Sequence, residues 1–298
     1  SPLVVTDKDD RAVVVFAGVP HQDDGWGGVV EKAAETMASV QVEGLALNAL
    51  PVDLQSHRRG EFVALPVGVS HGNGRSVCFP LLLVERLLSD KAIQRIAGFQ
   101  SSVFAYYAPK LYAHFGHRLL RLFQKDKSLQ GNFINSVFPA ASFNLGPQTV
   151  SLDHTDASNV GYGLCALASL GRFDHRKGGH LVLFDMGLMV PFPPGAVALL
   201  PSGILRHGNT TLQPGEERYS IAQYCAGGLL RWVDYGFKTA VTAQAEKPKA
   251  KKKEVLEELN GKHEDRVEEA LGLFSKVDEL KSDREKTFQS YASFLCSD

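Results

Sequence analysis

Hydrophobic positions along the chain have two textures. Up to about residue 137 apolar residues recur at helical spacing or stand as single strand-length runs, whereas from Phe138 to Lys238 they form short runs cut by Gly, Pro and Asp. In the first part, Ala12 to Val19 predicts a buried strand and Val29 to Val40 a short helix. The Pro-, Gly- and His-rich stretch from Asn48 to Gly74 reads as irregular chain with one strand-like run, Glu61 to Val69. Two helical patterns follow: Leu81 to Gly98, with Leu83, Leu87 and Leu88 on one side, and roughly Ser102 to Lys127. In the second, Leu111, Phe115, Leu119 and Leu122 make an apolar stripe, while Lys110, His114, Arg118, Arg121 and Lys125 make a basic one on another face. That basic stripe is either an ordinary solvated face or a phosphate-contacting one.

The second texture predicts strands at Ala141 to Leu145, Val150 to His154, Gly163 to Leu170, Gly179 to Phe184, Ala196 to Leu200 and Tyr219 to Tyr224. About eight strands in a double-sheet jelly roll would protect the edges and leave a cavity between the sheets. Beyond Ala240 a Lys-rich run, Lys247 to Lys253, precedes a charge-rich helical pattern in which Val255, Leu259, Val267, Leu271, Phe274 and Val277 offer an apolar face. The expected fold class is therefore α+β: a jelly-roll core at 138–240, an N-terminal α/β flank at 3–137 packing on it, a Lys-rich linker at 241–254 and a C-terminal helical segment at 255–298. Ser1 and Pro2 read as a cleavage remnant.

Composition narrows the classes. With 298 residues, 44% apolar and 22% charged, the chain is in the globular range, not that of a disordered or collagenous one. Runs such as Val13 to Phe16 and Phe79 to Val84 fall far short of the roughly 20 residues of a bilayer span, and no signal-like segment opens the chain, so a soluble intracellular protein is expected. Cys78, Cys165, Cys225 and Cys296 lack C-x-x-C spacing and are expected to be reduced, mostly buried thiols. A net charge of −1 removes any global basic bias. A nucleic-acid partner would need a local patch: the Lys110/Arg118/Arg121 face, Arg58-Arg59, or the Lys247–Lys253 run.

The candidate chemistry lies in the β region. His154-Thr155-Asp156 and a distant His207, in Leu205-Arg-His-Gly-Asn209, have the composition of a 2-His-1-carboxylate set, which leaves open positions on Fe(II) for oxygen activation. In a strand, residues i and i+2 share a face, so His154 and Asp156 could reach one metal. Eleven residues after His207 comes Arg218, in Arg218-Tyr-Ser220. It is either a surface arginine beside Glu216 and Glu217 or a buried one needing an anion, and the far carboxylate of 2-oxoglutarate would serve.

The order H-x-D, apolar strand Gly178-Gly-His-Leu-Val-Leu-Phe184, turn Phe192-Pro-Pro-Gly195, His207-Gly-Asn209 and Arg218-Tyr-Ser220 resembles the 2-oxoglutarate/Fe(II)-dependent dioxygenases with a double-stranded β-helix. More narrowly, His154-Thr-Asp-Ala-Ser-Asn159 is similar to the H-x-D-x-x-N signature of the TET/JBP branch, fungal type, which oxidises methyl groups on nucleic-acid bases. The resemblance covers residues 138–238. It implies that His154, Asp156 and His207 hold Fe(II), that Arg218 and Ser220 bind the 2-oxoglutarate C5 carboxylate with Asn144 as a further cosubstrate contact, and that O2 is the oxidant. It implies Asn159 as the base-reading residue, whose alternative is a loop asparagine capping its own turn. Thr155 stands where the family often has arginine, which puts one contact near the metal in doubt.

The implied activity is stepwise oxidation of 5-methylcytosine in DNA to the hydroxymethyl, formyl and carboxyl products. A duplex base must be flipped into such a pocket at a cost of a few kcal/mol. Arg118 and Arg121 are candidate substrate contacts, and Phe173, Tyr162 and His175 candidate stacking surfaces. The implied partner is methylated double-stranded DNA, without a membrane, bound by a monomer in the nucleus. Two other readings stay open: the same chemistry on 6-methyladenine, methylated RNA or a small molecule, and a cupin-like metal-binding jelly roll without oxygen chemistry. His57, His71, His114, His117, His175 and His180 lack zinc spacing and read as structural, and Gly72-Asn-Gly74 reads as a turn.

Overall fold

Alternation along the central strands builds a sheet with two different faces. The computed structural model describes residues 2–50, 55, 57–70, 81–239, 241–242 and 263–295. Its strands are β1 (Leu3–Thr6), β2 (Ala12–Gly18), β3 (Val63–Gly68), β4 (Ala140–Leu145), β5 (Cys165–Arg172), β6 (Leu181–Leu183), β7 (Leu188–Val190), β8 (Val197–Leu200), β9 (His207–Asn209) and β10 (Glu217–Tyr224). They form a seven-stranded sheet in the order β1-β2-β8-β5-β10-β4-β3 and a three-stranded sheet in the order β7-β6-β9. Every strand pairing is antiparallel.

Phe143, Ile221, Ala168 and Leu199 point from the large sheet into one core, together with Val30, Ile96, Phe104 and Phe115 from helices. Alternate positions point the other way. Val14, Phe16, Ala198 and Leu200 meet Leu181 and Leu183 of the small sheet, closing a second core between the sheets. On that inner face the middle of the large sheet is polar. Register sets Ser220 of β10 directly opposite Asn144 of β4 and Ser169 of β5. The result is the expected α+β double-stranded β-helix, apolar at one end and polar at the other.

Helices α1 (Trp26–Ala46), α2 (Leu81–Ser89), α3 (Lys91–Tyr107) and α4 (Pro109–Lys125) cover the outer face, followed by α5 (Gly227–Asp234), α6 (His263–Gly272) and α7 (Leu280–Leu295). Buried Gln100 of α3 donates to the carbonyls of Ala166 and Ile221 at 2.7 and 3.0 Å, and Gln223 donates back to Gln100 at 2.9 Å. Amides so placed pin helix to sheet without leaving a polar group unsatisfied.

Several boundaries differ from expectation. The first helix is longer, Trp26–Ala46. The patterns 81–98 and 102–127 resolve into three helices because Asp90, extended, caps α3 through the amides of Ala92 and Ile93, and Pro109 occupies the first turn of α4. Val150 to His154 is not a strand; it holds a single isolated bridge, His154 with His207, and Gln148 just before it bridges Arg218. Strands β1, β7 and β9 were not expected. β1, β2 and β3, from residues 3–68, are part of the large sheet. Val255, Leu259 and the Lys247–Lys253 run lie outside the described residues, as do Cys78, Cys296, His71 and Gly72-Asn-Gly74, while Cys165 and Cys225 are buried free thiols. No described helix is long and apolar enough to cross a membrane.

Candidate active site

The segment carrying His154 runs alongside β9 rather than as a strand of its own, and backbone contacts fix its position. His154 and His207 bridge backbone to backbone, Asp156 N donates to Ser202 O at 2.8 Å, and Leu152 N donates to Arg59 O at 2.7 Å. These contacts gather His154, Asp156 and His207 so that one ligand atom from each lies within 4.8 Å of the others. Asp156 Oδ1 is 3.8 Å from His154 Nε2, and its Oδ2 is 4.0 Å from His207 Nε2. Both histidines are buried.

Each imidazole is oriented through its other nitrogen. His154 Nδ1 faces Leu152 O at 2.7 Å and His207 Nδ1 faces Leu205 O at 2.9 Å. A carbonyl only accepts, so Nδ1 carries the hydrogen and Nε2 turns a lone pair toward the shared space. Burial first, then the neighbouring His207, pulls the His154 pKa from 6.5 to about 4. A neutral ring is the ligating form. Two imidazole nitrogens and a carboxylate fit Fe(II), with coordination positions left for 2-oxoglutarate and O2.

Arg218 supplies the second half of the site. It is 3% exposed, its Nη1 donates to Thr149 O at 2.7 Å and Thr149 Oγ1 at 3.1 Å, and its Nε is buried with no partner among the described residues. Burial alone brings its pKa down to about 10. The two neighbouring carboxylates do not neutralise it. Glu216 is taken by the amides of Asp174 and Gln213, each at 2.8 Å, and Glu217 is exposed. A desolvated guanidinium with an idle N–H is a costly arrangement that a carboxylate would relieve, and the C5 carboxylate of 2-oxoglutarate has that chemistry.

Ser220, two residues along the same face of β10, accepts from Asn144 Nδ2 at 2.9 Å, and Ser142 donates to Asn144 Oδ1 at 3.2 Å. Asn144 thus holds Ser220 in place beside the arginine. Thr149 and Tyr224 are additions that sequence reading missed. Tyr224 shares the inner face with Arg218 and Ser220, a period-two relation visible in the chain, and its phenol is pushed up to about 12 by burial and then by Asp156. Thr149 carried no such signal.

The remaining candidates are placed differently. Asn159 Nδ2 donates to Ser202 Oγ at 3.0 Å and approaches Asp156 Oδ2 at 3.5 Å, so the residue lies beside the metal group with one edge of its amide engaged. Lys110 pairs with Asp283 of α7 and Arg118 with Asp234 of α5, both at 2.9 Å, so these two cations of the basic stripe are engaged within the fold; Arg121 stays exposed. Tyr162 packs on the outer core and lies 3.1 Å from His114 through its hydroxyl, and the Phe173 ring lies over Gly179. His175 is half-buried. Arg58 donates to Thr155 O at 2.7 Å, bringing a cation from the β3 side onto the segment that carries His154 and Asp156.

No protein-family model and no curated protein matches the chain. Among solved structures, NgTET1 in complex with 5mC DNA is 13% identical over 76% of this chain and 76% of its own, with a TM-score of 0.41. A 2OG-Fe(II) oxygenase family oxidoreductase from Burkholderia pseudomallei is 19% identical over 64% of this chain and 90% of its own, at 0.33. A Pseudomonas putida prolyl-4-hydroxylase is 14% identical over 65% and 88%, at 0.31. None reaches a TM-score of 0.5, and the reading of the site rests on its own residues.

Proposed function

We propose that the protein is a 2-oxoglutarate/Fe(II)-dependent dioxygenase that oxidises 5-methylcytosine in DNA to 5-hydroxymethylcytosine and on to the formyl and carboxyl bases, taking the target base out of the duplex. The observation that carries this reading is the pairing of a 2-His-1-carboxylate group with a buried, anion-less Arg218 between the same two sheets. A cupin-like metal site has no use for that second feature.

His154, Asp156 and His207 would hold the iron, while Arg218 and Ser220 would bind the C5 carboxylate of 2-oxoglutarate with Asn144 orienting Ser220. When bound, iron and cosubstrate couple oxidative decarboxylation to insertion of oxygen into a methyl C–H bond. The protein's share is positional. The apolar end of the roll limits water, and Asn159, half-exposed beside Asp156, faces the base. Arg58 and Arg59, docked on the metal-bearing segment, are the cations best placed for backbone phosphates. The reading carries a monomer acting in the nucleus.

Nucleoside mass spectrometry of methylated duplexes, after incubation with purified protein, Fe(II), 2-oxoglutarate and ascorbate, tests it against His154→Ala as blank. Oxidised cytosines absent from the blank are expected. Succinate without oxidised cytosine would move the assignment to 6-methyladenine, methylated RNA or a small molecule, a second reading favoured by the internal pairing of Lys110 and Arg118. The absence of both succinate and oxidised cytosine would overturn the oxygenase reading.

A further inference from the structure

Asn159 is bound to the protein through one edge of its amide only. Its Nδ2 lies 3.0 Å from Ser202 Oγ and 3.5 Å from Asp156 Oδ2. The backbones are tied as well: Asn159 N donates to Asp156 O and Asp156 N to Ser202 O, both at 2.8 Å. A hydroxyl can donate or accept, so Ser202 by itself would not decide which way the amide faces. Asp156 decides it. A carboxylate that holds a metal only accepts hydrogen bonds, so the edge turned to it is the NH2 group.

Ser202 is 1% exposed, in the tight turn after β8 where Ile204 and Leu205 both donate to Pro201 O, and it has no room to swing away. Asn159 Oδ1, by contrast, accepts no hydrogen bond from the described residues, and the side chain is half-exposed on the metal side of the loop. What the loop offers to a substrate is an acceptor alone.

We propose that Ser202 and Asp156 fix the polarity of the Asn159 amide, so that the site selects bases with an exocyclic amino hydrogen and refuses those with a carbonyl at the same position. The inference rests on the methylcytosine reading and deepens it. 5-Methylcytosine and thymine carry the same methyl group and differ on the edge that Asn159 would meet, where one has an amino group and the other an oxygen. Against thymine two acceptors would face each other, and turning the amide to relieve them would set its oxygen against the Asp156 carboxylate, while the Ser202 bond holds the side chain where that contact is made. Ser202 is thus a positioning residue for specificity, acting through Asn159.

The test uses the full chain with iron and 2-oxoglutarate and two duplexes alike except for the target, 5-methylcytosine or thymine, each opposite guanine. A mismatched thymine is the easier base to extrude, so discrimination against it reports the pocket rather than flipping. In the wild type, kcat/KM is expected to favour 5-methylcytosine by about a hundredfold, in the range one base contact supplies. Ser202→Ala is expected to cut that ratio about tenfold and Ser202→Thr to restore it. A merely structural role would lower both substrates together and leave the ratio unchanged. Equal ratios in wild type and Ser202→Ala overturn the inference, as does a wild type that oxidises both targets equally. A wild type that oxidises neither overturns the methylcytosine reading and this inference with it, a pattern distinct from the other two. Should Ser202→Ala fail to fold, Ser202→Cys keeps the volume, weakens the acceptor and gives the same comparison.

Discussion

His154 and His207 exchange both backbone hydrogen bonds with each other, His154 N to His207 O at 3.1 Å and His207 N to His154 O at 2.9 Å, leaving their ring centroids 4.3 Å apart. Two residues distant in sequence are thereby set as an antiparallel pair with both side chains on one face. A metal bound between them would cross-link the small sheet to the segment before it. Mn(II), used as a redox-inert stand-in for Fe(II), should raise the thermal midpoint and EDTA should reverse the rise. At a hundred times Kd the gain is about 2.7 kcal/mol. Scanning fluorimetry with and without metal checks this, and Asp156→Ala should abolish the response; a shift that survives the substitution would locate the metal elsewhere.

Arg218 makes a second, sharper prediction because its charge is buried without a counter-ion. Replacing it with methionine keeps much of the volume and removes the desolvated cation. The ligand-free Arg218→Met protein should therefore be at least as stable to urea as the wild type, since apolar substitutes for buried charges are often neutral or stabilising by about 1 kcal/mol or more. Stabilisation by 2-oxoglutarate in the presence of Mn(II) should disappear in the same variant. A variant that is less stable when ligand-free yet still responds to 2-oxoglutarate would assign Arg218 to the fold instead.

His114 sets a pH dependence. Arg118 Nη1, a donor only, faces His114 Nδ1 at 3.0 Å, so Nδ1 accepts and Nε2–H donates to the Tyr162 hydroxyl at 3.1 Å. Protonation would turn Nδ1–H against the guanidinium. Burial first, then Arg118, holds the pKa near 4 against an ordinary 6.5. Between those values the unfolded chain binds a proton that the folded one refuses, so stability rises with pH there. The contribution is complete above about pH 6.5 and is lost as pH falls toward 4, on the order of 2 kcal/mol in all. Urea midpoints for wild type and His114→Gln at pH 7, 6, 5 and 4 should converge as pH drops; parallel curves would refute the assignment.

Legibility in the sequence followed how local each signal was. The metal group and Arg218-x-Ser220 could be read because their chemistry is unusual and the two-residue spacing is set by strand geometry. The strand invoked for His154 and Asp156 was wrong, however; what brings them together is the bridge to β9, three residues long and too short to show alternation. The breaks at Asp90 and Pro109 were written in an N-cap and a helix-starting proline, yet the apolar periodicity running across them concealed both. The basic stripe of α4 was visible as charge but not as function. Its partners Asp234 and Asp283 lie far along the chain, and only the packing of α5 and α7 reveals that Lys110 and Arg118 are already engaged. Nor does Asn159 in sequence disclose which end of its amide is committed.

Gly171 gives the last prediction, because it joins backbone geometry to the anion clamp. It sits opposite Arg218 in the β5–β10 register with φ +110°, and a Cβ built on it would lie 2.3 Å from Glu217 O. That atom is strand backbone and cannot rotate aside. Gly171→Ala must therefore strain the conformation or push β10 away where Arg218 is held, at a cost of about 1–3 kcal/mol. The damage should extend to ligand binding, since Arg218 depends on strand position to keep Nη1 on Thr149 and its Nε unpartnered. A lower urea midpoint is expected together with a severalfold weaker 2-oxoglutarate affinity by calorimetry with Mn(II), whereas Gly187→Ala, where the backbone is also left-handed but no atom lies within 4 Å, should lose stability without weakening 2-oxoglutarate. Equal 2-oxoglutarate affinities in the two variants would break the proposed link between the β5–β10 register and the clamp.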